Sequence, residues 1–158
     1  KYGILSDGEL FEHLQKNGQA FDREYVVSRC VEIKRDYVCE DEFDRGLRQK
    51  LNLGHTIGHG IESSEGMSEL YHGECVALGM IPMCESGELK ERIKKALGNI
   101  GLDTDAMKYI SDKNALLEAL CHDKKSTSGG KISAVLVRDI GKFEFVSLTP
   151  EEIIERLV

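Results

Sequence analysis

Apolar residues recur at helical spacing along most of this 158-residue chain and change to strict alternation only near its end. The pattern predicts a first helix over residues 7–16, capped by Ser6 or Asp7 and ended by Asn17-Gly18. A second helix is expected from Asp22 to about Cys39, with Tyr25, Val26, Cys30, Ile33 and Tyr37 on its apolar side. Residues 40–48 read as a loop. A helix over 52–63 is expected despite Gly54, Gly58 and Gly60, because small residues at that spacing usually permit close approach. Residues 73–84 are apolar on nearly all sides, the signature of a buried helix, with Pro82 as a kink or late break. Further helices fit 88–97, 103–112 and 113–122. The period then changes to two. Lys131 to Val137 and Lys142 to Ser147 alternate around Asp139-Ile140-Gly141, which predicts a β-hairpin. Thr149-Pro150-Glu151-Glu152 caps a last helix, and residues 126–130 read as a flexible loop. The fold class is therefore mainly α, with one β-hairpin near the C-terminus.

Composition narrows the function classes. A formal net charge of −7 disfavours a nucleic-acid partner, which requires a clustered basic surface; it leaves room for a small anionic ligand held by a few converging cations. No apolar run is long enough to cross a membrane. The N-terminus has no signal-peptide pattern, and the expected compartment is the cytoplasm. Five cysteines, none paired as Cys-x-x-Cys, are expected to be reduced thiols. The abrupt start at Lys1 is expected of a piece of a longer protein. No Gly-x-Gly-x-x-Gly, P-loop or Gly-x-Ser-x-Gly motif is present.

Three of the five histidines, His55, His59 and His72, fall within 18 residues. Imidazole is only an intermediate core residue, so this density points to a metal site rather than to core filling. His55 and His59 are four apart and share one helix face. The residues between them are Thr56, Ile57 and Gly58, so the glutamate of a zincin protease is missing. His72 arrives on another segment and can complete a site, catalytic zinc usually having three protein ligands and one open position. Capping or hydrogen-bonded core histidines are the alternative. Arg48 and Asn52 precede His55 at helical spacing and Lys34 lies on the preceding helix. These groups suit an anion, although each alone also fits a solvated surface residue. Asp123-Lys124-Lys125 before a Ser/Gly-rich loop is a weaker phosphate candidate. His13 and His122 are expected at the surface or at helix ends.

Taken together, Glu32-Ile33-Lys34, Gly46-Leu47-Arg48, Asn52-Leu53-Gly54-His55-Thr56-Ile57-Gly58-His59, His72-Gly73-Glu74-Cys75 and Asp123-Lys124-Lys125 resemble the C-terminal half of 3-dehydroquinate synthase in order and spacing. The resemblance covers essentially the whole chain. It implies that residues 1–158 are the helical metal- and substrate-binding domain, and that an N-terminal Rossmann-like domain outside this chain binds NAD. His55 and His72 would be two ligands of Zn2+ or Co2+, with a third, a glutamate, three residues ahead of Lys1. Lys1, Lys34, Arg48, Asn52 and His59 would meet the substrate. One of Lys124 and Lys125, preferably Lys124, would lie at its phosphate end.

The activity so implied is conversion of 3-deoxy-D-arabino-heptulosonate 7-phosphate to 3-dehydroquinate and phosphate in the shikimate pathway, by a homodimer with no nucleic-acid or membrane partner. The chain by itself is expected to be inactive. Two alternatives remain at this level: another sugar-phosphate cyclase such as 2-deoxy-scyllo-inosose synthase, and a non-catalytic helical module.

Overall fold

A computed structural model describes residues 1–64, 70–122, 126–127 and 130–157. Eight helices and three strands alternate with short 3₁₀ turns among the described residues: α1 (Tyr2–Leu5), α2 (Gly8–Asn17), α3 (Arg23–Glu40), α4 (His55–Ser64), α5 (His72–Met80), α6 (Gly87–Asn99), α7 (Lys113–His122), β1 (Ser126–Thr127), β2 (Lys131–Asp139), β3 (Lys142–Leu148) and α8 (Pro150–Glu155). The mainly helical class and the hairpin are as the period of the sequence implies. Capping also follows the chemistry of the residues. The Asp7 carboxylate accepts from Leu10 N–H at 2.9 Å and starts α2, and the Thr149 hydroxyl with the Glu152 carboxylate boxes the start of α8.

Several element boundaries differ from expectation, each for a local reason. The helix expected over 52–63 begins at His55. Residues 47–52 form a 3₁₀ turn instead, and Gly54 takes φ +79°, which breaks the path between the two. The helix expected over 73–84 stops at Met80 because Pro82 cannot donate to the i−4 carbonyl. Over 103–112 only a 3₁₀ turn, Ala106–Tyr109, forms. There the Asp103 carboxylate takes the N–H groups of Thr104 and Asp105, and Asp105 takes that of Met107, competing with helical bonding. Residues 126–127, expected within a loop, form the short strand β1 and pair antiparallel with Lys131 and Ile132.

The core lies where α4, α5 and α7 meet the sheet. Ile57, Ile61, Leu78, Leu116, Leu120, Ile93, Val137 and Ile153 are almost completely buried. Strand β2 is central in the sheet, with β1 and β3 on either side. Beyond it, Val137 exchanges backbone bonds with Met83 and Glu85 at 2.8 and 2.9 Å, tying the end of the α5 segment to the sheet. Helix α3 is different: Ile33 is its one buried residue, and polar ties hold it. Arg29 Nε donates to Asp7 at 2.6 Å and the Tyr37 hydroxyl donates to Ser6 at 2.9 Å. Lys50, only 5% exposed, sets its ammonium over the rings of Tyr37 and Phe143 at 4.0 and 4.8 Å. This cation–π contact joins the 3₁₀ turn to α3 and β3. No described helix is long and apolar enough to cross a membrane.

Candidate metal centre and substrate cleft

Helix α4 presents His55 and His59 one turn apart, and α5 opens with His72. What brings them together is the absence of side chains. A Cβ on Gly79 would stand 2.2 Å from the carbonyl oxygen of Gly54, and one on Gly54 would stand 2.4 Å from that of Val76. The two backbones therefore touch, and His72 is carried against the face of α4 that holds the other two rings. The start of α5 is fixed separately by Glu74, whose carboxylate accepts from Tyr71 N–H at 2.7 Å. Glu74 of the His-Gly-Glu motif is thus a helix cap.

The three imidazole centroids form a nearly equilateral triangle: 5.4 Å for His55–His59, 5.4 Å for His55–His72 and 5.6 Å for His59–His72. Zinc holds imidazole nitrogen at about 2.0–2.1 Å, so two rings at a tetrahedral angle have centroids about 5 Å apart. The spacing of the rings is that of imidazoles that share a divalent cation in pairs. Ring chemistry agrees. His55 Nδ1 faces the Leu53 carbonyl at 3.3 Å, which leaves Nε2 for another partner. Burial, and next the charge of Lys1, push the His55 pKa down to about 4, so the ring is neutral and able to ligate near neutral pH. Among the described residues, the three possible ligands whose atoms lie within 4.8 Å of one another are His59, Glu62 and His72, with His55 at the side of that group.

Two cavities flank the triangle. One, of about 340 Å³, is bounded by Asn52, His55, Thr56 and His59 on one side and by Ser133, Val135 and Phe145 of the hairpin on the other. The second, of about 320 Å³, lies between Lys1, His55, His72 and the outer face of α5. Both are of small-ligand size. Lys1 Nζ donates to the Leu51 carbonyl at 2.6 Å. Burial, followed by the neighbouring Lys34 charge, lowers the Lys1 pKa to about 8. Lys34 is exposed on α3. Arg48 turns one guanidinium N–H to the Glu42 carbonyl at 2.8 Å, and neither Lys34 nor Arg48 lines these two cavities. Lys124 and Lys125 lie outside the described residues.

Comparison with known proteins adds the family. The model of the 3-dehydroquinate synthase C-terminal family matches residues 1–126. The chain is 40% identical to the 3-dehydroquinate synthase of Alkaliphilus metalliredigens over 97% of its own length and 46% of that protein. This chain belongs to the 3-dehydroquinate synthase C-terminal family. A second family relative, the 3-dehydroquinate synthase of Streptococcus suis, is 35% identical over 99% of this chain and 47% of its own. The chain thus spans about half the length of the curated relatives it matches.

Among solved structures, the 2-epi-5-epi-valiolone synthase ValA from Streptomyces hygroscopicus subsp. jinggangensis, with NAD+ and Zn2+ bound, superposes with a TM-score of 0.78 at 22% identity, covering 98% of this chain and 47% of that one. A 2-deoxy-scyllo-inosose synthase, complexed with carbaglucose-6-phosphate, NAD+ and Co2+, gives 0.74 at 23% identity, covering 85% of this chain and 41% of its own. These two likenesses establish the fold that the family shares. Two features of the site were not foreseen from the sequence. Glu62 was accessible in principle, since it sits three residues after His59 on the same helical face. The hairpin wall of the cleft was not, because nothing local in residues 133–145 indicates what they pack beside.

Proposed function

We propose that residues 1–158 form the metal- and substrate-binding domain of a 3-dehydroquinate synthase, a lyase that converts 3-deoxy-D-arabino-heptulosonate 7-phosphate to 3-dehydroquinate and phosphate. The observation that carries this reading is the imidazole triangle beside a cleft of ligand size, in a chain of this family. His55 and His72 would hold a divalent cation, Zn2+ or Co2+, together with a carboxylate from outside these residues. Bound there, the cation supplies Lewis acidity and orientation at the substrate hydroxyls.

The chain's own groups do the rest. His59, at the edge of the cleft, is assigned the proton transfer. Lys1, with its pKa lowered to about 8, is suited to hold or release one at a substrate oxygen. Asn52 offers a neutral amide to a hydroxyl. Arg48, Lys34 and Lys124 are assigned to the anionic ends of the substrate. NAD is assigned to a dinucleotide-binding domain outside these 158 residues, and the working enzyme to a cytoplasmic homodimer.

The 35–40% identical relatives favour this reading over a sister cyclase. The deciding assay is phosphate release by the complete enzyme, with and without NAD and divalent metal. It is offered 3-deoxy-D-arabino-heptulosonate 7-phosphate in one arm and a hexose 6-phosphate in the other. Activity on the first alone, lost on chelation and in His59→Ala, is expected. Turnover of the hexose phosphate alone would reassign the substrate.

A further inference from the structure

Glu62 stands within 4.8 Å of the ligand atoms of His59 and His72 but has been given no role so far, and its carboxylate is aimed at one corner of the triangle. Its Oε1 lies 2.9 Å from His72 Nδ1, with the Glu62 side chain half-buried and the His72 side chain exposed, at 32% and 55%. A ring nitrogen that donates its proton to a carboxylate is not available to a cation. The contact therefore leaves Nε2 as the ligating atom of His72. His55 is arranged in the same way, its Nδ1 facing the Leu53 carbonyl. Two rings on different helices thus have the same nitrogen occupied by an oxygen acceptor and the same nitrogen left over.

We infer that Glu62 is a positioning residue for His72: it fixes the Nδ1–H tautomer and the ring angle so that Nε2 faces the cation. The inference rests on the reading of His55 and His72 as ligands. Placement supports it. Glu62 is one turn beyond His59 on α4, so the helix that carries two rings also carries the brace for the third, across the glycine crossing. Outer partners of this type orient ligating imidazoles and raise their basicity, and losing one typically weakens metal binding by about 10- to 100-fold. A free imidazole favours the opposite tautomer, so without Glu62 the ring would need both a proton shift and a rotation before binding.

The test uses the complete enzyme, prepared free of metal, in two measurements. Two-bond 1H–15N correlation spectra near pH 8, where imidazoles are neutral, report the His72 tautomer without any metal. Titration with Co2+, followed by its visible spectrum, reports affinity. The parent and Glu62→Gln, whose amide oxygen still accepts, should both show Nδ1–H on His72 and bind Co2+ within about threefold of each other. Glu62→Ala should move His72 toward Nε2–H and weaken Co2+ by about 10- to 100-fold. A Glu62→Ala enzyme with the parental tautomer and affinity overturns the inference. So does a Glu62→Gln enzyme that loses Co2+ as fully as Glu62→Ala, which would make the carboxylate a direct ligand. If His72→Ala bound Co2+ as the parent does, the metal reading itself would fail, and the tautomer would still respond to Glu62→Ala, so the two failures are told apart.

Discussion

Replacing Gly79 by alanine tests whether the glycine crossing sets the site. The added Cβ would stand 2.2 Å from the Gly54 oxygen and 3.0 Å from Gly58 N, both backbone atoms. Reaching ordinary contact requires α4 and α5 to part by about 1 Å. Neither side can yield by rotating a side chain, and Gly54 is already fixed at φ +79°. Against the strain stands a gain of about 0.5–1 kcal/mol from alanine in a helix. Overpacking of a rigid contact costs about 1–3 kcal/mol and occasionally more, so the upper part of that range applies and a net destabilisation of about 2 kcal/mol is expected. Urea unfolding followed by circular dichroism measures it. Gly98→Ala is the control, since a Cβ there meets nothing within 4 Å in α6, and it should gain about 0.5–1 kcal/mol. Co2+ affinity of Gly79→Ala should fall as well, because His72 moves with α5. If Gly79→Ala proved as stable as Gly98→Ala, the crossing would not be tight and the account of how the rings meet would be wrong.

Arg48→Lys in the complete enzyme keeps the charge but loses the planar fork; kcat/KM should fall by about 1.5–3 kcal/mol with the urea midpoint unchanged. A loss of stability with normal kinetics would instead make Arg48 a brace for the Glu42 carbonyl. The Asp103 carboxylate is held well below the usual range, first by the Asp105 N–H and then by Lys108. Its contribution is complete above the unfolded pKa of about 3.9 and is lost as pH falls below it. The parent should therefore be more stable than Asp103→Asn at neutral pH, and the difference should close in acid; a constant difference in urea titrations across that window would refute this. Of the cysteines, Cys39 and Cys121 are exposed, while burial pushes Cys84 up to about 12. Ellman's reagent should label the first two in the native chain and Cys84 only in urea, and rapid native labelling at Cys84 would contradict its place in the core.

Much of this was legible in the sequence because it depended on neighbours in the chain. Asp7, Asn17-Gly18 and Thr149 mark helix ends through bonds to atoms a few residues away, and the hairpin announces itself by its period. The shared face of His55 and His59 follows from their spacing. The distance from either ring to His72 does not, since it depends on where α5 crosses α4. Gly54 signalled close approach without naming the partner, and Gly79 on the other helix carried no signal of its own. The helix expected over 103–112 failed because three acceptor contacts from two aspartates outcompeted it, a balance that apolar periodicity does not register. Arg48 and Lys34 were grouped with the histidines by order along the chain, and the two cavities beside the triangle are lined without them.

The buried ammonium of Lys50 has a consequence for the cleft under changing salt. Phe143, one of the two rings beneath it, packs edge-on against Phe145, which lines the cleft, with centroids 5.7 Å apart. The far wall of the cleft is thus referred back to the turn that carries Arg48 and Asn52 through a charge resting on aromatic faces. Exposed ion pairs weaken as added ions screen them over about 10 Å at ordinary ionic strength, but a charge enclosed between rings is reached little by those ions. The width of the cleft should therefore hold in brine that dissolves the surface pairs of this acidic chain, leaving ligand capture to vary with salt while the shape that receives the ligand does not.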